Sequence, residues 1–185
     1  RSSNVMMLKS VLLSKGFKAN SSHLADSAEK IKASFDKVLE SNDIILLSGG
    51  VSAGKKDLIP GALAEAGFKT VFHKISQKPG KPMLVATRPD GKVVFAFPGN
   101  PISTLTCFWV YFLPWVSGEW PEYNVKEIKF LPKPSAELDQ WIPVEKGEVL
   151  AHNGSGDLIN WSRADGLVWQ AAGDKSKKLP YIPLK

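Results

Sequence analysis

The spacing of apolar positions along the chain predicts alternating helices and strands. In residues 5–15, Leu8, Val11 and Leu12 recur three and four positions apart, which is typical of one helix face. A capping box beginning at Asp26 predicts the start of a second helix. Residues 43–48 form a continuous apolar run, as expected of a strand that is buried on both faces of a parallel sheet.

The same pattern continues through the first two thirds of the chain. We predict a helix at 58–66 and strands at 17–24, 69–75, 82–87 and 93–97. Asp90-Gly91 is a hairpin signal, and Asn100 followed by Pro101 is a favourable helix start. The alternation predicts an α/β fold, a three-layer sandwich with a mostly parallel sheet.

The pattern changes after Trp115, where short β-like segments are separated by turn-rich residues. We therefore predict an α/β domain at 1–118 that lacks its first strand, followed by a small all-β C-terminal domain at 121–185.

Charge is unevenly distributed over the 185 residues. Residues 1–120 contain fifteen basic and nine acidic side chains, which accounts for the whole formal net charge of +6. The six tryptophans all lie at Trp109 or later, so they do not interleave with the basic residues as in a nucleic-acid stacking platform. The charge favours a small anionic partner over nucleic acid.

The chain has one cysteine, Cys107, which lies in an apolar segment and is expected to be a small buried hydrophobe. A single cysteine excludes an internal disulfide and is typical of a reducing compartment. The most apolar segment, 104–116, is shorter than the roughly 20 residues of a membrane span, and the chain does not open on a secretory signal. We expect a soluble, cytoplasmic protein.

The segment Ser48-Gly-Gly-Val-Ser-Ala-Gly-Lys-Lys-Asp57 is the strongest candidate for chemistry. It nearly matches a phosphate loop, but Lys56 stands where Ser or Thr coordinates magnesium, which weakens the alternative of a nucleotide hydrolase. Small residues let backbone N–H groups approach an anion, and Lys55 and Lys56 add charge. Asp57 suits either a helix-dipole carboxylate or a Mg²⁺ ligand, and spacing leaves both open.

Two further segments favour an anionic ligand. Lys78-Pro-Gly-Lys-Pro82 places two ammonium groups on a proline-stiffened loop, and Pro98-Gly-Asn-Pro101 starts a helix with Ser103 in its first turn. Taken alone, the first segment is equally consistent with a solvated basic loop, and the second with an ordinary helix start. Together with the charge distribution they predict a phosphate-bearing or oxyanion ligand above the strand ends.

These three segments, in this order and at this spacing, resemble the molybdopterin-binding domain of the molybdopterin molybdenumtransferases, the bacterial MoeA family that includes the gephyrin E domain. Gly154-Ser-Gly156 and Ala164-Asp-Gly166 resemble the C-terminal β domain of that family. The resemblance implies molybdenum cofactor biosynthesis, in which molybdate is inserted into adenylylated molybdopterin with Mg²⁺-dependent release of AMP.

The resemblance also implies roles for residues. Asp57 would be the metal-binding carboxylate, and Lys78 and Lys81 would hold anionic substrate or molybdate. The remaining positions would line the phosphate or pterin pocket: Ser48, Gly49, Gly50, Ser52, Gly54, Pro98, Gly99, Asn100 and Ser103.

The chain departs from the family in two places. It begins after the Thr-Gly-Asp-Glu-Leu-type motif and the N-terminal domains that complete the active site across a homodimer. We therefore expect a C-terminal fragment that is inactive alone, and a non-catalytic molybdopterin-binding or scaffolding module remains the alternative. Residues 138–145 lack the arginine that the family often carries there, which leaves a molybdate contact from the second domain open.

Overall fold

The computed structural model describes residues 3–24, 28–51, 58–120, 123–150 and 157–184. The chain divides into two compact units: Arg1–Ile75 with Pro82–Gly99, and Ser76–Lys81 with Asn100–Lys185. This division differs from the predicted boundary near residue 118, because residues 100–118 group with the C-terminal strands. The domain assignment itself stays a prediction.

The secondary structure follows the predicted order closely. The helices are α1 (Ser3–Ser14), α2 (Ala28–Ser41), α3 (Leu58–Glu65), α4 (Pro101–Cys107), a π-helical turn (Phe108–Phe112), α5 (Leu113–Ser117) and α6 (Leu158–Ser162). The strands are β1 (Ile44–Ser48), β2 (Lys69–His73), β3 (Gln77–Lys78), β4 (Leu84–Thr87), β5 (Val93–Phe97), β6 (Asn124–Glu127), β7 (Asp139–Glu145), β8 (Glu148–Val149), β9 (Gly166–Gln170) and β10 (Lys178–Pro183).

The first unit contains a mixed sheet of order β1-β5-β4-β2. Only the β1–β5 pair is parallel in this sheet, with Ser48 opposite Phe97, and the other two pairs are antiparallel. The expectation of a mostly parallel sheet was wrong. Strands β4 and β5 are antiparallel because the tight Asp90-Gly91 turn joins them, and a tight hairpin joins only antiparallel strands. In this turn Gly91 N donates to Arg88 O at 3.0 Å.

The predicted strand at 17–24 does not form. The amide of Phe17 donates to the carbonyl of Leu12 at 2.9 Å, which closes the end of α1, and Gly16 takes a φ of 82° in that turn. No described strand pairs with residues 17–24, so they carry no ladder hydrogen bonds.

One core cluster of the first unit lies on one face of its sheet, and Val85, Phe95 and Phe97, which alternate with its members along β4 and β5, are buried as well. Alternate residues of β1 and β5 contact α2 and α3, as the period of two in a strand requires. The main members are Phe35, Leu39, Ile45, Leu47, Ile59, Leu63, Val94 and Ala96. This packing holds the carboxyl ends of β1 and β5 side by side. Helices α2 and α3 form one layer, and a three-layer arrangement stays a prediction.

The second unit is built on a sheet of order β3-β7-β9-β10-β6, with β8 paired to β7. Its core joins Ile102 and Val110 from the helical segment to Trp141 and Leu167 from the sheet. An all-β C-terminal domain is not confirmed, because residues 158–162 are helical and earlier segments complete this unit. Within the described part of the chain, every helix is too short or too polar to cross a membrane.

Candidate functional site

The glycine turn, which we define as Ser48, Gly49 and Gly50, follows β1 in the first unit. Gly49 and Gly50 adopt φ angles of 92° and 72°, which L side chains rarely take. A Cβ on Gly50 would lie 2.7 Å from Ile59 Cγ1 in α3, so the turn approaches this helix too closely for a side chain. Gly49 N donates to Phe97 O at 3.0 Å, which ties the turn to the end of β5.

Asn4 on α1 links the glycine turn to the segment after β5. Its side chain is only 5% exposed, and Asn4 Nδ2 donates to Ser48 Oγ at 2.7 Å and to Gly99 O at 2.9 Å. A Cβ on Gly99 would lie 3.7 Å from Gly49 Cα, so the two backbones are neighbours. The ends of the two parallel strands therefore form one small, side-chain-poor surface.

Sequence reasoning missed Asn4. The available signal was its place in line with Leu8 and Leu12, four and eight residues later, on the apolar face of α1. A polar side chain in such a stripe needs buried partners, and those partners are the glycine turn and Gly99.

Five predicted positions, Ser52, Gly54, Lys55, Lys56 and Asp57, lie outside the described residues. Among the residues that are described, no three His, Cys, Asp or Glu side chains form a group that could hold a metal ion. The metal-binding role of Asp57 thus stays a prediction.

The lysine loop, defined as residues 78–81, belongs to the second unit, and two buried side chains hold its backbone. Gln77 Nε2 donates to Pro79 O at 2.8 Å, and the Cys107 thiol donates to Gly80 O at 3.7 Å. A Cβ on Gly80 would lie 2.6 Å from Cys107 Sγ. The loop is fixed by buried contacts, with a cis Lys78–Pro79 bond, while Lys78 and Lys81 are exposed.

Cys107 supports this loop without reactive chemistry. It is fully buried, and burial raises the pKa of its thiol to about 12, so the thiolate is not populated near neutral pH. The expectation of a small buried hydrophobe is confirmed.

Asn100 and Pro101 start α4 in the second unit as predicted. Asn100 Oδ1 accepts a hydrogen bond from Ser103 N at 3.1 Å, and Pro101 occupies the first helical turn. Ser103 is 6% exposed. Pro98, which follows β5, is buried, and Gly99 after it is exposed.

Three comparisons with known proteins agree with this picture. The sequence model described as "Probable molybdopterin binding domain" matches residues 1–118. A protein named molybdopterin molybdenumtransferase from Synechocystis is 35% identical over 175 residues, which is 91% of this chain and 44% of that protein. The Drosophila melanogaster protein named molybdenum cofactor synthesis protein cinnamon is 39% identical over 60% of this chain and 19% of its own length.

A solved structure shares the fold. The molybdopterin biosynthesis MoeA protein of Pyrococcus horikoshii superposes with a TM-score of 0.74 at 26% identity, over 96% of this chain and 45% of that protein. The chain thus spans less than half the length of these relatives, and its resemblance to their family is confirmed. The family match over residues 1–118 shows that this chain belongs to the molybdopterin-binding domain family.

Proposed function

We propose that this chain is the ligand-binding part of a molybdopterin molybdenumtransferase, which inserts molybdate into adenylylated molybdopterin and releases AMP. The observation that carries the proposal is the glycine turn held by Asn4 at the ends of two parallel strands. Strand ends of this kind are where open α/β sheets bind their ligands.

The glycine turn suits a phosphate or pterin group for a steric reason. Gly49, Gly50 and Gly99 present backbone without side chains, so a ligand can approach peptide N–H groups closely. Ser48 adds a hydroxyl whose position is fixed by Asn4. Ser52 and Gly54, which follow the glycine turn in sequence, are assigned to the same proposed binding segment.

The lysine loop suits an anionic substrate for an electrostatic reason. Lys78 and Lys81 are exposed, and no described carboxylate forms an ion pair with either ammonium group. Because the loop backbone is anchored by Gln77 and Cys107, little backbone conformational entropy is lost when the lysines bind molybdate or phosphate. The resemblance also implies ligand-binding roles for Pro98, Asn100 and Ser103, and these roles belong to the same proposal.

These residues account for binding and for charge neutralisation. Two ammonium groups offset the charge of molybdate and of the leaving AMP, while the glycine turn orients phosphate. Magnesium enters the proposal through Asp57 alone, since the described residues do not assemble a metal site. A cytoplasmic homodimer, as the resemblance implies, belongs to the same proposal.

Calorimetry with adenylylated molybdopterin and with molybdate tests the binding roles. The Lys78→Ala and Lys81→Ala variants should each bind the anionic ligand about five-fold or more weakly, whereas Lys129→Ala, an exposed lysine elsewhere in the second unit, should bind as the wild type does. Equal weakening by all three variants would mean that only overall charge matters.

Activity is tested by exchange into a relative. The matching 175-residue segment of the Synechocystis protein is replaced by this chain, and AMP release is measured with adenylylated molybdopterin and molybdate. Release that is lost with Asp57→Ala supports the transferase. Tight pterin binding by a folded chimera that releases no AMP supports the non-catalytic module instead.

A further inference from the structure

The second unit contains a cavity of about 440 Å³ that the anion-binding proposal does not use. Its size lies in the range of small-molecule sites. It is lined by Gln77, Val110, Tyr111, Trp120, Tyr123, Asp139, Trp141, Trp169 and Pro180. Five of these nine side chains are aromatic.

The polar ends of the inner aromatic side chains are already engaged. Tyr111 Oη and Trp141 Nε1 both donate to Gln77 Oε1, the second at 3.1 Å. Burial raises the pKa of the Tyr111 hydroxyl well above its ordinary value, so it remains a donor near neutral pH. These two rings therefore offer a ligand their π surface and no further hydrogen-bond donor.

The charge of the lining has a single sign. Among the described residues that line the cavity, Asp139 is the one ionisable acid or base apart from the tyrosines, and none is a lysine, arginine or histidine. Asp139 Oδ1 accepts from Ala172 N at 2.9 Å, which fixes the carboxylate, and a carboxylate can accept more than one hydrogen bond. Such a lining repels an anion and attracts a cation.

We propose that this aromatic cavity binds a quaternary ammonium group. Aromatic faces hold such cations through their quadrupoles, and a nearby carboxylate adds attraction without requiring a donor from the ligand. Trp141, 6% exposed, forms the floor, and Trp120 and Tyr123, 61% and 52% exposed, form the rim. None of the lining residues is among the proposed anion-binding residues, although Gln77 also contacts the lysine loop, and the proposal does not rest on the proposed transferase activity.

Calorimetry on the 185-residue chain tests the proposal with choline and with Nε-trimethyl-lysine as probes. Both cations should bind at least about five-fold more tightly than 3,3-dimethyl-1-butanol, the uncharged isostere of choline. A preference between the two probes separates a small-molecule source from a methylated-peptide source. Equal affinity for the uncharged isostere, or no binding of either cation, overturns the proposal.

Two pairs of variants locate the site, each pair combining a lining residue with a control. Asp139→Asn keeps an acceptor for Ala172 N and should weaken choline binding about five-fold or more, whereas Asp174→Asn, whose carboxylate accepts from Ser176 N outside the cavity, should not. Trp120→Ala should weaken binding similarly and Trp115→Ala should not, since Trp115 is 40% exposed but does not line the cavity. Equal behaviour within either pair contradicts the assignment.

Discussion

Gln77 Oε1 accepts a hydrogen bond from Trp141 Nε1 at 3.1 Å across 64 residues of sequence. The same amide oxygen accepts from Tyr111 Oη, and Gln77 Nε2 donates to Pro79 O in the lysine loop at 2.8 Å. One buried side chain thus connects the lysine loop to β7 and to the aromatic cavity.

Replacing Gln77 by alanine should therefore destabilise the second unit. The Trp141 indole and the Tyr111 hydroxyl lose their shared acceptor. Each buried donor left without a partner lowers the free energy of unfolding by about 1–3 kcal/mol. Urea unfolding followed by tryptophan fluorescence measures the loss, with Asn124→Ala on exposed β6 as the control. A Gln77→Ala variant as stable as this control would show that the hydrogen bonds contribute nothing net.

Asn4→Ala should destabilise the first unit by about 1–3 kcal/mol, because Ser48 Oγ and Gly99 O lose their buried donor. Ser10→Ala on the same helix is the matched control, since Ser10 is exposed and its hydroxyl donates within α1 to Met6 O. Free energies of unfolding from urea titration compare the two. The proposed function adds that Asn4→Ala, but not Ser10→Ala, weakens binding of adenylylated molybdopterin.

Gly80→Ala should disturb the lysine loop. Gly80 has a φ of 113°, and the added Cβ would lie 2.6 Å from Cys107 Sγ and 2.8 Å from Gln77 Nε2. Gly173→Ala isolates the backbone contribution, because Gly173 also has a positive φ, 74°, but nothing lies within 4 Å of its Cβ position. The Gly80 variant should lose about 1–3 kcal/mol more than the Gly173 variant in urea unfolding. Similar losses of unfolding free energy in the two variants would mean that the positive φ, and not the Cβ contacts, destabilises the Gly80 variant.

The Arg88–Asp90 ion pair predicts a pH-dependent difference in stability. Hydrogen bonds from Arg88, Nε to Oδ1 at 2.9 Å and Nη2 to Oδ2 at 2.5 Å, lower the pKa of Asp90 from 3.8 to about 2. The pair therefore stabilises the fold above pH of about 4 and loses this contribution as the pH falls towards 2. The thermal midpoint of wild type should exceed that of Asp90→Asn at pH 7, and the gap should close by pH of about 2. A gap that is constant with pH would mean that the carboxylate charge is not involved.

Cys107 should resist alkylation in the folded protein. Its burial and its pKa of about 12 leave almost no accessible thiolate at pH 8. Iodoacetamide followed by intact-mass analysis should show no addition in native buffer and one addition per chain in about 6 M guanidinium, where the chain is unfolded. One addition in native buffer at the rate of free glutathione would contradict the burial of Cys107.

The sequence alone determined much of the local structure and the candidate chemistry. Apolar periodicity predicts α1, α3 and β5, and the Asn100-Pro101 pair predicts the start of α4, because these features depend on neighbours within a few residues. The glycines and lysines of the proposed anion-binding segments are also visible in sequence, since their meaning lies in residue type.

Tertiary structure decided what depends on partners far along the chain. The antiparallel pairing of β2 with β4 and the place of residues 76–81 on the edge of the second sheet follow from pairing between strands that are not joined by a tight turn. Asn4 and Gln77 acquire their roles only through partners up to 95 and 64 residues away. A buried polar group must find its hydrogen-bond partners wherever the fold places them, and no local pattern encodes that distance.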